Sequence, residues 1–279
     1  MKQYFLALAV FVGTACYVQA QIQMPQASPA ASVSQLVGLA KVTVDYSRPA
    51  LKGRAMFGDR VPYGKVWRTG ANQTTKLTFS EAVTLNGQPV AAGSYGLHTI
   101  PTANEWTIIL SKDANAWGSY SYDPKNDALR FTVKPEKSAT ATEHFTIEFT
   151  DFTPTTANLT LRWEKVAVKI PVKQDPDARI MAQIGEQTAS ADAKPGVFMA
   201  AANYYYDTNR DMKQALAWAN KVVEADKQYW TYHLRAKIQA KLGDCKAARA
   251  DAQQSLELAR KAGDDAYIKN NEKLLADCN

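Results

Sequence analysis

The chain has 279 residues, 46% of them hydrophobic and 22% charged, with 12 Pro, 14 Gly and three Cys. That composition excludes a disordered tail, a collagen-like chain and a disulfide-dense mini-scaffold, and the length suffices for two domains that each bury a core. The net charge is +6, with the excess in one half: residues 21–173 hold 17 Lys and Arg against 12 Asp and Glu, whereas residues 174–279 hold 15 against 15.

The N-terminus reads as an export signal. Lys2 precedes an apolar stretch from Tyr4 to Ala15, and Val18-Gln19-Ala20 offers small residues where a signal peptidase reads. Residues 1–20 are therefore expected to be a signal peptide, cleaved after Ala20 to leave Gln21 first. The mature chain is expected in the periplasm or secreted. The apolar run is shorter than the roughly 20 residues that cross a bilayer, so the mature chain is expected to have no transmembrane span. A second export reading is a lipoprotein anchored at Cys16, with Gly13-Thr14-Ala15-Cys16 as its lipobox. Gly13 fits that motif poorly. Residues 21–34 are rich in Pro, Ala, Ser and Gln and read as a flexible leader.

Strand patterns fill residues 35–173. Val42, Val44 and Tyr46 alternate, as do Leu77 and Phe79, then Phe145, Ile147 and Phe149. Leu159, Leu161 and Trp163 continue the series, followed by Val166, Val168, Ile170 and Val172. Short runs of period two, rich in β-branched and aromatic residues, are half-buried strands. Asn86-Gly87 marks a two-residue hairpin. Residues 94–100 and 105–111 read as a further pair across Pro101-Thr102-Ala103-Asn104, and residues 128–134 as another strand. The expected fold is an antiparallel all-β sandwich or barrel.

The pattern changes at Asp175-Pro176, a helix start. Pro195 opens a second helix, and further helices are expected over residues 212–226, 228–242, 244–262 and 264–277. Asp211, Lys213, Ala215, Ala217, Ala219 and Glu224 recur 33 residues later as Asp244, Lys246, Ala248, Ala250, Ala252 and Glu257. Six identities at one spacing suggest paired-helix repeats. The stretch from Leu242 to Ala248, with Ser255-Leu256-Glu257-Leu258, resembles the second helix of a tetratricopeptide repeat. Met199 and Tyr232 stand where that repeat carries Trp. Residues 174–279 are thus expected to form an all-α, tetratricopeptide-like region; the alternative is a plain helical bundle.

The segment Ser47-Arg48-Pro49-Ala50-Leu51-Lys52-Gly53-Arg54, then Phe57-Gly58 and Val61 through Trp67-Arg68-Thr69-Gly70-Ala71-Asn72, resembles the secreted bacterial domain-of-unknown-function family 2911. Ala92-Gly93-Ser94-Tyr95, Glu105-Trp106, Trp117-Gly118, Asp127 and Arg130 also match it. The resemblance spans roughly residues 37–172. It implies an exported β-rich domain and no established activity.

Chemistry is sparse. His98 and His144 fall on expected strands and His233 on a helix, with no nucleophile motif beside them. Cys-x-x-Cys, His-Glu-x-x-His and calcium-loop spacings are absent, so no metal and no cofactor are expected. Asp113, Asp123 and Asp127 lie loosely around Trp117, Tyr120 and Tyr122 and read as turn formers. The best candidate is the segment from Arg48 to Asn72, inside a run from Arg48 to Lys76 that carries seven cations against Asp59 alone. Within it, Arg48, Lys52, Arg54 and Arg68 can grip an anion, Tyr63 and Trp67 offer flat faces, and Asn72 donates and accepts. The candidate ligand is anionic or sugar-like. The competing reading makes Trp67 a core anchor and Arg68 an internal partner. No nucleic-acid-binding motif is present, so nucleic acid is not an expected partner.

Two cysteines remain after cleavage, at the expected ends of adjacent helices. A Cys245–Cys278 disulfide is expected there, in an exported chain. The leading functional reading is a ligand-binding or adaptor module with a helical protein-interaction unit. A hydrolase acting on envelope glycans or peptides and a purely structural envelope protein are the alternatives.

Overall fold

Alternation of apolar and polar residues lets each strand bury one face, and here it produces two sheets around one core. The computed structural model describes residues 24–278. The expected signal peptide, with Cys16, Ala20 and Gln21, lies outside the described residues. The chain divides after Gln174 into a β unit and a helical unit.

The β unit has ten strands among the described residues. In chain order they are β1 (Ala30–Val37), β2 (Ala40–Ser47), β3 (Thr75–Phe79), β4 (Val83–Leu85), β5 (Gln88–Val90), β6 (Gly93–Pro101), β7 (Trp106–Ser111), β8 (Asp127–Val133), β9 (Glu136–Thr150) and β10 (Thr156–Lys173). Six form one sheet in the order β1-β2-β3-β6-β7-β8, and four form the other in the order β5-β4-β10-β9. Neighbouring strands are antiparallel throughout. Val42, Val44, Leu77, Leu97 and Leu110 of the first sheet share a core with Phe145, Ile147, Leu161, Val168 and Ile170 of the second. This is the two-sheet form of the expected fold.

Three boundaries differ from expectation. β1 starts at Ala30, inside the stretch assigned to the leader, because it pairs with β2 along its whole length, from Ala30 opposite Ser47 to Val37 opposite Ala40. Small side chains gave little alternation to read, yet the backbone ladder holds them. β9 begins at Glu136, well before Phe145, since its first half is an exposed polar edge. The two runs around Trp163 and Val168 are one strand, β10, whose register shifts at Glu164, held at φ +53°. The Asn86-Gly87 hairpin forms as expected, with φ of +48° and +79°.

The helical unit contains α1 (Asp177–Ala189), α2 (Pro195–Asp207), α3 (Met212–Ala225), α4 (Tyr229–Lys241), α5 (Cys245–Ala262) and α6 (Asp265–Asp277). Asp211, Asp244 and Asp264 cap three of them by accepting backbone N–H bonds in the first turn. The recurring alanines 215, 219, 248 and 252 are wholly buried, so their small side chains sit where helices meet. Arg235 donates two bonds to Asp251, at 2.6 and 2.8 Å, tying α4 to α5. No described helix is long and apolar enough to cross a membrane.

The expected disulfide is not formed. Cys245 and Cys278 are free thiols. The helix ends do return together, and both cysteines belong to one apolar cluster.

Candidate functional site

Between β2 and β3 the chain runs as a long loop pinned to both sheets. Ala50 bridges to His144 of β9, and Trp67 bridges to Thr99 of β6. The loop carries every ligand-binding residue expected from the sequence, and the structure separates them into two groups.

The first group is consumed by the fold. Arg48 donates to the Phe145 carbonyl at 3.2 Å and the Thr146 hydroxyl at 2.7 Å. Arg54 folds back onto its own turn, donating to the carbonyls of Leu51 and Ala50, both at 2.9 Å. Lys52 is tied in through its backbone alone: at φ +49° its N–H donates to Glu143, while the residue itself is exposed. Asn72, at φ +59°, donates its amide to Gln26, Ser28 and Ser47, stitching the loop to the N-terminal strand region. Trp67 stacks on Trp163 with centroids 5.8 Å apart and planes 13° from parallel. Phe57, Trp106 and Phe145 meet it edge-on, and its indole N–H donates to the Gly70 carbonyl at 3.0 Å. The indole is thus a partly buried wall of the aromatic core, and the part left uncovered lines the same groove as Arg68.

The second group faces outward. Tyr63 is 47% exposed. It borders a cavity of about 470 Å³ with Phe57, Trp106, Lys134 and Lys137. Arg68 lines a separate shallow groove of about 190 Å³ with Arg60, Lys65 and Tyr120. Tyr120 is 87% exposed. The Arg68 Nε is buried without a hydrogen-bond partner. Its guanidinium crosses Gly118 so closely that a Cβ there would lie 2.8 Å from Nη1. Gly118 also sits at φ +70°, where a side chain is strained in any case. Among the described residues, Arg60 forms one ion pair, with Asp59 at 4.0 Å, and both are exposed. Arg60, Lys65 and Tyr120 were not among the residues expected from sequence. The first two were legible only as part of the local charge, and nothing in the spacing of Tyr120 marks its exposure.

Behind this groove, buried threonine hydroxyls of the loop and of β3 and β6 are hydrogen-bonded. Thr69 donates to the Thr99 hydroxyl, Thr75 to the Thr69 carbonyl and Thr74 to the Gly118 carbonyl, at 3.1, 2.6 and 2.6 Å. The first two bonds fasten the loop at Thr69 to β6 and β3, and the Thr74 bond fastens the 113–120 loop beside them. His98 lies under the cover, 1% exposed, with neither ring nitrogen hydrogen-bonded. Burial lowers its pKa against the pull of Asp127 and Asp113. Its ring is shut off from solvent.

Asp127 does more than form a turn. It accepts the Tyr122 hydroxyl at 2.9 and 3.0 Å and two bonds from Arg130 at 3.0 and 3.1 Å. Burial and the Asp127 bond raise the Tyr122 pKa. Arg130 in turn donates to the Tyr122 hydroxyl at 2.6 Å. These bonds lock the loop end onto β8. Among the described residues, no cluster of His, Cys, Asp or Glu is placed to hold a metal ion.

Chemically, the groove can accept an anion and a flat ring together. Guanidinium and ammonium groups supply charge-assisted donors, and the Tyr120 face supplies a stacking surface. A family described as "Protein of unknown function (DUF2911)" matches residues 28–172, just over half of the chain. No curated protein and no solved structure matches the chain.

Proposed function

The chain belongs to this family of unknown function, and we propose that it is an exported binding protein whose β unit takes an anionic, sugar-like ligand. The ligand rests on the groove of Arg60, Lys65, Arg68 and Tyr120. The helical unit, read as tetratricopeptide-like, docks a protein partner. The observation that carries the ligand reading is Arg68: a guanidinium with an unpartnered buried Nε, beside two further cations and an almost fully exposed aromatic ring. A buried donor without a partner is costly, and a bound anion removes that cost. At about 190 Å³ the groove is smaller than the ~300–1,000 Å³ of enclosing ligand pockets. It suits one charged ring, such as the end of a glycan chain.

Calorimetry against uronate and sulfated disaccharides, with neutral disaccharides beside them, tests this reading. Arg68→Gln and Tyr120→Ala are expected to weaken binding of the anionic sugar by about ten- to a hundredfold. Tyr63→Ala, at the separate cavity, leaves that affinity unchanged. If nothing in the anionic panel binds, or if Arg68→Gln binds as the parent does, the reading fails. Export is checked separately by the intact mass of protein from its native host, which is expected to begin at Gln21; a lipidated Cys16 or a full-length chain refutes that cleavage.

A further inference from the structure

The helical unit holds a second arrangement that the ligand groove does not use. Cys245 opens α5, and Cys278 follows the last residue of α6. The two thiols pack into one small apolar cluster with Ala236, Ala248 and Leu274. They are unequally placed: Cys245 is partly exposed, whereas Cys278 is buried, 6% exposed. Both line a groove of about 720 Å³, whose rim carries Lys237 and Lys241 of α4 and Lys273 of α6. Asp277 is the one carboxylate of that lining. Among the described residues, Lys237 and Lys273 have no ion-pair partner within 4.0 Å. Lys237 and Lys241 hold their ammonium groups 4.6 and 4.7 Å from the centre of the Tyr206 ring, which fixes both stems along the groove.

We propose that this groove is a thiol–disulfide exchange site for a small anionic disulfide, with Cys245 as the attacking sulfur, Cys278 as the resolving sulfur and the lysines as the anchor for the carboxylates. Three features assign the roles. Of the two cysteines lining the groove, Cys245 is the more exposed. The Cys278 thiol is pushed above its ordinary pKa by the neighbouring Cys245 and by burial. The two thiols share one apolar cluster, so the second step needs little movement.

The chemistry balances without another reagent. The Cys245 thiolate attacks one sulfur of R–S–S–R. That S–S bond breaks, one thiolate leaves with the electron pair, and Cys245 carries the mixed disulfide. Cys278 then gives up its proton and attacks the Cys245 sulfur, expelling the second thiolate. The two protein thiols are oxidised by two electrons, the small disulfide is reduced to two thiols, and the two protein protons end on those thiols. The product disulfide closes the segment from Cys245 to Cys278 and clamps α5 to α6.

The test uses the reduced full chain with two probes, glutathione disulfide, which is anionic, and hydroxyethyl disulfide, which is neutral. Intact mass after acid quenching follows the reaction. Wild type is expected to lose two hydrogens with no adduct left. Cys278→Ser is expected to accumulate one glutathione adduct, at Cys245, whereas Cys245→Ser reacts at least about tenfold more slowly because its remaining thiol is buried. Replacing Lys237, Lys241 and Lys273 by Gln is expected to slow glutathione disulfide about tenfold and leave hydroxyethyl disulfide unaffected. Raising the salt concentration on the wild-type chain applies the same test without any replacement, and the anionic probe alone is expected to slow. Equal salt responses of the two probes overturn the lysine anchor. Adducts on Cys278 in place of Cys245 overturn the assigned roles, and a wild-type chain that keeps both thiols free overturns the site.

Discussion

Replacing Trp67 by Ala separates a core residue from a ligand-binding one. The indole touches Phe57, Trp106, Phe145 and Trp163 and donates one hydrogen bond to Gly70. Removing a large aromatic from such a site costs about 3–5 kcal/mol, and the hydrogen bond is worth about 1 kcal/mol within that sum. Taking about 4 kcal/mol, and about 2–4 °C per kcal/mol for a unit of this size, Tm of the β unit is expected to fall by about 8–16 °C. Thermal denaturation of the full chain, followed by near-ultraviolet circular dichroism, measures it. Trp67→Phe is expected to recover part of the loss, because the edge contacts survive in smaller form. A fall below about 3 °C for Trp67→Ala would refute the reasoning, since a wall of the core cannot be deleted so cheaply.

Gly118→Ala places a methyl group against Arg68 and Tyr120 at a left-handed backbone position. It is expected to cost about 1–2 kcal/mol in thermal denaturation and to weaken the anionic sugar, because both groove residues must move. His98 and His233 are both held below the ordinary His value of 6.5, chiefly by burial. The unfolded chain therefore takes up more protons below that pH, so stability is whole above about 6.5 and declines as pH falls, by up to about 1.4 kcal/mol per unit for each His. Urea denaturation across pH 5–8 checks the slope; His98→Gln is expected to flatten it, and an unchanged slope refutes the assignment to His98.

Legibility in the sequence followed how strongly side chains advertise their surroundings. Val42, Phe145 and Leu161 announce strands because each must be buried on alternate sides. The Asn86-Gly87 turn announces itself through backbone geometry that few other pairs adopt. β1 went unread because Ala30, Ala31 and Ser32 have side chains too small to show a face, and its stability comes from backbone pairing with β2. The polar half of β9 was hidden for the opposite reason: as an outer strand it buries little. The site divided along similar lines. A run of cations singled out the loop between β2 and β3, but composition does not show where each guanidinium ends. Arg48 and Arg54 find carbonyl oxygens within their own turn or the next strand, whereas the Arg68 Nε finds none. Tyr120 became relevant only through Gly118, which lets Arg68 cross from another part of the chain.

The near-parallel contact of Trp67 and Trp163 has an optical consequence. Two indoles fixed face to face in an asymmetric frame couple their electronic transitions, and the coupled pair absorbs left- and right-handed light unequally. One ring belongs to the long loop and the other to β10, so the signal exists only while loop and sheet are joined. Trp218 and Trp230 of the helical unit have no Trp–Trp ring contact. The β unit thus carries a built-in chiroptical reporter of its own closure, readable without any added dye.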